Sequence, residues 1–325
     1  MGRENNKRRR SQTRTSIQNM RFFSRFFVAA AFCGWAWAAQ AQNMGSSPYS
    51  QLGIGDLVNP AFAPHQAMGS AGVAYTNGFF INNLNPALWA RNRSVILELG
   101  VAAQYKQMRD ERTSQRLLGG NLNYLALGLP VARYWTTGLV LAPLSSVNYD
   151  ISGTRATYRF LGRGGLSSLN WNNGFSMLKN RLYLGLQTSY IFGATTNEFI
   201  SRVDTLGYNA AYQQRLTASG FTFKPGFAYR LPIRYNKKDS LKLIYFSVAG
   251  TYDIAGNVNE FRDVILENRG TNPEVPDALT PPADTLIFDQ RGTLRLPTGY
   301  RVGINLEKPF HWAFSADFHQ KNWSQ

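Results

Sequence analysis

Residues 94–107 alternate with a period of two. Val95, Leu97, Leu99, Val101, Ala103 and Tyr105 fall on one face, and Glu98, Gly100, Gln104 and Lys106 on the other. Successive side chains point to opposite sides only in a β-strand, so this string predicts a strand with one apolar face and one polar or small face. Downstream of an export signal, such a strand is the repeating unit of a transmembrane β-barrel, its apolar face toward lipid and its other face toward a lumen.

The export signal stands at the N-terminus. Lys7, Arg8, Arg9, Arg10, Arg14, Arg21 and Arg25 precede an apolar run of 14 residues, 26–39. That run is too short for a helix spanning the roughly 30 Å bilayer core, and it ends in Ala39-Gln40-Ala41, a small-x-small cleavage pattern. Residues 1–41 are therefore expected to be a signal peptide, cleaved between Ala41 and Gln42 on the way to the cell outer membrane. Cys33, the only cysteine, lies inside it, which leaves neither a disulfide nor a thiolate metal site. Removing eight Lys/Arg and one Glu with the leader lowers the formal charge from +16 to +9. The remaining basic residues are scattered (Arg109, Arg112 and Arg116, Lys237 and Lys238, Arg262 and Arg269) and form no nucleic-acid stripe. They suit contact with outer-membrane lipid and lipopolysaccharide head groups.

Further strand-like runs lie near 119–131, 135–150, 167–178, 181–200, 212–230, 240–258, 285–306 and 311–323, giving about nine strands over 94–325. The connections alternate in length. Those at Ala132-Arg133-Tyr134, Asn180 and Glu307-Lys308-Pro309-Phe310 are short, and 232–239 is moderate. Those at 108–118, 151–166, 201–211 and 259–284 are longer and polar, the last holding Pro273, Pro276, Pro281 and Pro282. This order predicts an antiparallel outer-membrane β-barrel with tight periplasmic turns and longer external loops. A soluble β-sandwich alternates in the same way, but the strand lengths, the leader and the 14% aromatic content argue for the barrel.

Residues 42–93 do not alternate and are rich in Gly, Ala, Asn and Pro. They predict either a loose periplasmic tail or a plug folded inside the lumen. Gly53-x-Gly55 lacks a third glycine and follows no strand, so no dinucleotide cofactor is expected. The three histidines, His65, His311 and His319, do not cluster with acids at metal-ligand spacing. Ser315, Asp317 and His319 share one strand face, which fits lumen lining better than catalysis. No enzyme activity, cofactor or metal is expected.

The stretch Gly69-Ser70-Ala71-Gly72-Val73-Ala74 leading to Asn85-Pro86-Ala87 resembles the N-terminal hatch of the FadL/TodX family of outer-membrane transporters of hydrophobic compounds. Leu296-Pro297-Thr298-Gly299-Tyr300, Ala316-Asp317-Phe318 and Trp323-Ser324 are similar to that family's later strands, and the Ser47-Pro48-Tyr49-Ser50 block is similar to its Bacteroidetes branch. The resemblance implies a porin-like barrel of 14 strands plugged by a hatch at 42–93, with Asn85, Pro86 and Ala87 as the hatch motif. It implies uptake of long-chain fatty acids or aromatic hydrocarbons, and dependence on the outer-membrane assembly machinery for insertion. The alternative it implies is a barrel partner of the type IX secretion system that binds without transporting lipid. Nine strands against 14 lead to the expectation of a C-terminally truncated chain.

Overall fold

A computed structural model describes residues 47–109, 114–152, 158–203, 208–234, 244–270 and 283–323. The expected signal peptide and its cleavage point at Ala41/Gln42 lie outside these residues. The alternating runs form one antiparallel sheet. Its strands are β1 (Asp56–Leu57), β2 (Ile96–Arg109), β3 (Ser114–Ala132), β4 (Trp135–Pro143), β5 (Ser145–Ser152), β6 (Tyr158–Met177), β7 (Leu182–Val203), β8 (Tyr208–Arg234), β9 (Ile244–Asp253), β10 (Gly256–Gly270), β11 (Asp284–Leu296), β12 (Thr298–Lys308) and β13 (Trp312–Asn322).

The lateral order is β13-β12-β9-β8-β7-β6-β4-β3-β2. The other long strands continue members of this row. β4 and β5 both pair with β6, β9 and β10 both pair with β8, and β12 and β11 lie against β9 and β10. The sheet thus has the nine staves expected, three of them broken: at Leu144, at residues 254–255 and at Pro297. Proline donates no ladder hydrogen bond, which accounts for the breaks beside Pro143 and Pro297. Backbone bonds from Leu144 N to Leu166 O (2.8 Å) and from Ile254 N to Phe223 O (3.0 Å) hold the sheet together there. Among the described residues β2 pairs only with β3 and β13 only with β12, so strand pairing leaves the sheet unclosed.

Short turns at 133–134, 178–181 and 309–311 join staves at one end, as expected. The opposite end departs from expectation. Much of 108–118, 151–166, 201–211 and 259–284 is strand, because β2 runs to Arg109, β6 starts at Tyr158, β8 starts at Tyr208 and β10 reaches Gly270. Ladder bonds are backbone bonds and continue wherever neighbours stay in register. There apolar residues such as Phe160, Phe261, Val264, Ile265 and Leu266 no longer keep a regular alternation, yet the strand persists.

The two faces of the sheet differ sharply. Leu99, Leu125, Leu141, Leu169, Tyr190 and Phe221 stand directly opposite one another across six staves, all exposed. On the other face Ala126, Val140, Asn170 and Ser189 form a parallel row, all buried. The non-alternating segment 47–93 covers Ala126 and Val140, and Asn170 and Ser189 border a cavity beside it. The core sits at this junction, where Phe62, Ile81 and Trp89 pack on Tyr124, Ala126 and Val140.

Candidate functional site

Asn85, Pro86 and Ala87 open a 3-10 turn, Pro86–Arg91, in which Pro86 through Ala90 are buried. The local sequence dictates this. Proline suits the first turn position because it has no N–H to leave unsatisfied. Asn85 caps the turn by accepting from Ala87 N (3.0 Å) and donates its amide to Val73 O (3.0 Å) and to Phe227 O on β8 (3.1 Å). Asn85 therefore ties the turn both to its own segment and to the wall.

The wall is shaped for this turn. Gly174, Gly185 and Gly226 are direct partners across β6, β7 and β8, and Gly128 faces Gly138 across β3 and β4. A Cβ on Gly185 would lie 2.3 Å from Ala87 N, one on Gly174 2.7 Å from Ala90 N, and one on Gly226 2.4 Å from Asn85 Oδ1. A Cβ on Gly138 would meet the Trp89 ring at 2.4 Å. At Gly174 and Gly185 the turn's backbone rests on the strand backbone, which leaves no room for a Cβ, whereas a Cβ on Gly128 meets only ordinary side-chain contacts.

Charged and polar groups fasten the rest of the segment. Asp317 on β13 accepts from Gly72 N (2.8 Å) and Val73 N (2.9 Å), while Arg301 on β12 lies 3.9 Å from Asp317 and donates to Ser70 O (3.3 Å). Glu98 on β2 accepts from Ile81 N (2.5 Å). Tyr124 stacks on Phe62 with centroids 3.6 Å apart, and its hydroxyl accepts from Ala63 N. Within the segment Asn82 is the hub: its Nδ2 donates to Gly72 O and Tyr75 O, and its Oδ1 accepts from Leu84 N and Asn85 N. His65 is fully buried beside Gly72, with Nε2 3.3 Å from Tyr75 O, its ring edge-on to Phe80 and Nδ1 without a partner. Burial, the largest influence, holds its pKa below the usual imidazole value.

At the end of the sheet carrying the short turns, Arg91 and Arg230 share one carboxylate. Arg230 reaches Glu307 Oε1 through Nη2 (2.6 Å) and Nε (2.9 Å), and Arg91 Nη2 lies 3.6 Å from the same oxygen. The Arg230 guanidinium also lies 3.3 Å above the Tyr245 ring. Toward the other end, a cavity of about 180 Å³ opens between the segment and the wall. The three stave breaks border it through Leu144, Ile254 and Pro297, and Ile54, Leu57 and Ile191 extend its apolar side. Asn170 Oδ1 and Gln187 Oε1, both buried, border it without a hydrogen-bond partner.

The structure thus brings Asn85, Pro86 and Ala87 together on the glycine row. Ser315, Asp317 and His319 share a face as expected but engage separate groups: Asp317 holds the 72–73 amides, and Ser315 Oγ donates to Asn305 Oδ1 (2.8 Å). Among the described residues no three His, Cys, Asp or Glu side chains gather as a metal site. Sequence reasoning missed Asn82, Arg91, Glu98, Arg230 and Glu307. The alternation placed Glu98 on the polar face of its strand, but Glu307 was read as part of a short connection, whereas it lies in β12, and no local signal paired either with the segment.

A family model described as BamG matches residues 23–325. No curated protein and no solved structure matches the chain. The expected membership of the FadL/TodX family and its Bacteroidetes branch is overturned, because BamG is a different family. The strings that carried the resemblance have a general physical origin. Asn-Pro caps a 3-10 turn, and Gly/Ala-rich stretches let backbone pack against a wall. Any segment folded on the inner face of such a sheet calls for them.

Proposed function

The chain belongs to the BamG family, and we propose that it is an outer-membrane protein in which residues 94–325 form a lipid-facing wall and 42–93 a fixed plug, acting as a structural partner of the outer-membrane assembly machinery. The observation that carries this reading is the inverted sheet. Its large apolar side chains point away from the protein, with Leu97 71%, Val101 74% and Phe318 57% exposed, while small and polar residues face the plug. At about 25 cal/mol per Å², a continuous apolar face of this kind is costly in water and favourable against lipid. Outer-membrane lipid and lipopolysaccharide are then its immediate surroundings.

The plug's fastening favours binding over conduction. Backbone on glycine, the Arg91–Glu307–Arg230 ion cluster and the Asp317 amide contacts tie the segment to the wall at several separate points. The partner role read as the alternative to transport is therefore kept. The family name, with its Bam prefix, supports the assembly machinery as partner in place of the type IX system. The test is to tag the full-length protein in its native host, solubilise outer membranes in mild detergent and identify what purifies with it. Assembly-machinery subunits in stoichiometric amounts are expected. A protein that fractionates to the outer membrane yet runs alone, and whose depletion leaves barrel assembly unchanged, sinks the proposal.

A second reading, uptake of small hydrophobic molecules, draws on the apolar side of the 180 Å³ cavity. It requires the plug to leave the glycine row. Labelled fatty acid uptake that does not change when the gene is deleted excludes it.

A further inference from the structure

Where the Arg91–Glu307–Arg230 cluster meets the short-turn end, a second cavity of about 410 Å³ opens. Among the described residues its charged walls are unbalanced: Arg91, Arg230 and Lys308 line it, and Glu307 is the only acidic one. A guanidinium cannot shed its proton to relieve burial, so this surplus is permanent at any physiological pH. Glu307 offers the two arginines a single oxygen, Oε1, already bound through two nitrogens of Arg230 at 2.6 and 2.9 Å. Arg91, at 3.6 Å, is the looser partner.

A latch between plug and wall explains the ion cluster alone. It does not explain the open volume beside it, the third cation, or the ring walls of Tyr75, Tyr245 and Trp312. Concave sites lined by one sign of charge raise the local concentration of counter-ions. Arg230 is held over the Tyr245 ring at 3.3 Å, and the planar fork of an arginine matches the two oxygens of a carboxylate or phosphate. We propose that this cavity is an oxyanion-binding site that takes one carboxylate or phosphate group between Arg91 and Arg230, with Glu307 as a built-in competitor. Because Arg91 belongs to the plug segment and Arg230 to the wall, the bound group bridges the two. The shared chemistry has two sources, a free phosphate ion or an acidic stretch of a polypeptide.

The purified full-length protein in non-ionic detergent at low salt is titrated with inorganic phosphate and, separately, with hexaglutamate, following binding by calorimetry. Saturable binding of either is expected, weakened about tenfold or more in Arg230→Met, where charge-assisted hydrogen bonds are lost. Glu307→Gln is expected to bind tighter, because the competitor is gone, and a group serving only as a latch produces no such gain. Lys308→Gln removes the third lining cation and is expected to weaken binding by about two- to threefold, and the circular dichroism of each variant controls for folding. Hexaglutamate at least tenfold tighter than phosphate assigns the polypeptide source, and comparable affinities assign the free ion. Absence of saturable binding by both, or affinities equal in wild type, Arg230→Met and Glu307→Gln, overturns the proposal.

Discussion

Gly185→Ala isolates the fit between plug and wall, because the change adds one methyl and nothing else. Gly185 has an ordinary strand φ, so the backbone is unstrained and the effect is purely steric. The new Cβ lies 2.3 Å from Ala87 N, 2.4 Å from Pro86 C and 2.6 Å from Ala87 Cα, against 3.4 Å or more for an ordinary contact. All three atoms are backbone, so the turn has to lift by ~1 Å as a unit, and its buried flanks leave it nowhere to slide. Overpacking costs about 1–3 kcal/mol, and loss of the Asn85 to Phe227 hydrogen bond adds about 1 kcal/mol. Gly174→Ala, with its closest contacts at 2.7 and 2.8 Å, is expected to cost about 1–2 kcal/mol. Gly128→Ala is the internal control: its Cβ meets only side-chain atoms at 3.5 Å and beyond, so its effect is within about 0.5 kcal/mol. Hydrogen exchange read by mass spectrometry separates the plug turn, residues 82–92, from the wall. Gly185→Ala is expected to speed exchange of the turn by about 30-fold or more while the β7 peptides stay protected. Equal protection in Gly185→Ala and Gly128→Ala would falsify the claim that the glycine row exists to seat this turn.

Three further outcomes are expected. His65, neutral and buried between Tyr75 O and Phe80, has Asp317 and Arg301 as its charged neighbours. Its folded pKa is lowered, so once the pH drops under about 6.5 the unseated form binds a proton that the seated form excludes. Protection of residues 62–75 should therefore be full above that pH and decline below it, and a decline of the same size in His65→Gln refutes the assignment. Asp317→Asn keeps the shape but loses the charge on two amide bonds and on Arg301, at a cost of about 1–2 kcal/mol. Faster exchange confined to residues 70–74 checks it, and unchanged exchange there counts against the contact. Leu139→Arg, on the outward face, should cost about 2–4 kcal/mol of stability in lipid. Normal heat-modifiability of that variant in bilayers argues against a lipid-facing row.

Some of this was legible in the sequence and some was not, for physical reasons. Alternation in residues such as Val95 through Tyr105 marks a strand and its outward face at once, so nine staves and three short turns could be read directly. The non-alternating composition of 42–93 marked a segment that is not part of the long staves, and its described part, 47–93, packs on one face of the sheet with Asn85 capping a turn. The glycine row was invisible because it depends on register. Gly174, Gly185 and Gly226 become a row only when β6, β7 and β8 are aligned residue by residue. The fasteners were hidden for a related reason. Asp317 reads as lumen lining beside Ser315 and His319, and only the fold brings it to the Gly72 and Val73 amides. The family reading failed because short Gly, Ala and Asn-Pro strings report a packing problem that unrelated plugged sheets share.

The lengths of the staves carry a last consequence for the wall. β8 has 27 residues, about 90 Å of strand, far more than a bilayer requires even at a 45° tilt. Its large exposed apolar residues, Phe221, Phe223, Phe227, Leu231 and Ile233, all lie in the half that pairs with β9 or borders it. From Phe221 to Ile233 is roughly 40 Å of strand and about 30 Å of height when tilted, close to the apolar thickness of a membrane. The half of β8 that pairs with β10 has none among its described residues, and neither does β10. On the lipid-facing reading proposed above, the membrane boundary on this stave falls near Phe221. Ile254 donates to the Phe223 carbonyl at nearly the same level, where the β9–β10 stave breaks. Leu144, Ile254 and Pro297, one from each broken stave, all border the 180 Å³ cavity, which places the three breaks around one level of the wall. β8 thus divides into a lower stretch that carries its large exposed apolar side chains and an upper stretch, paired with β10, that does not, and the breaks let the neighbouring staves bend at that level without losing their ladder. On the partner role proposed above, the stretch of sheet beyond that level is the surface that a protein partner would reach.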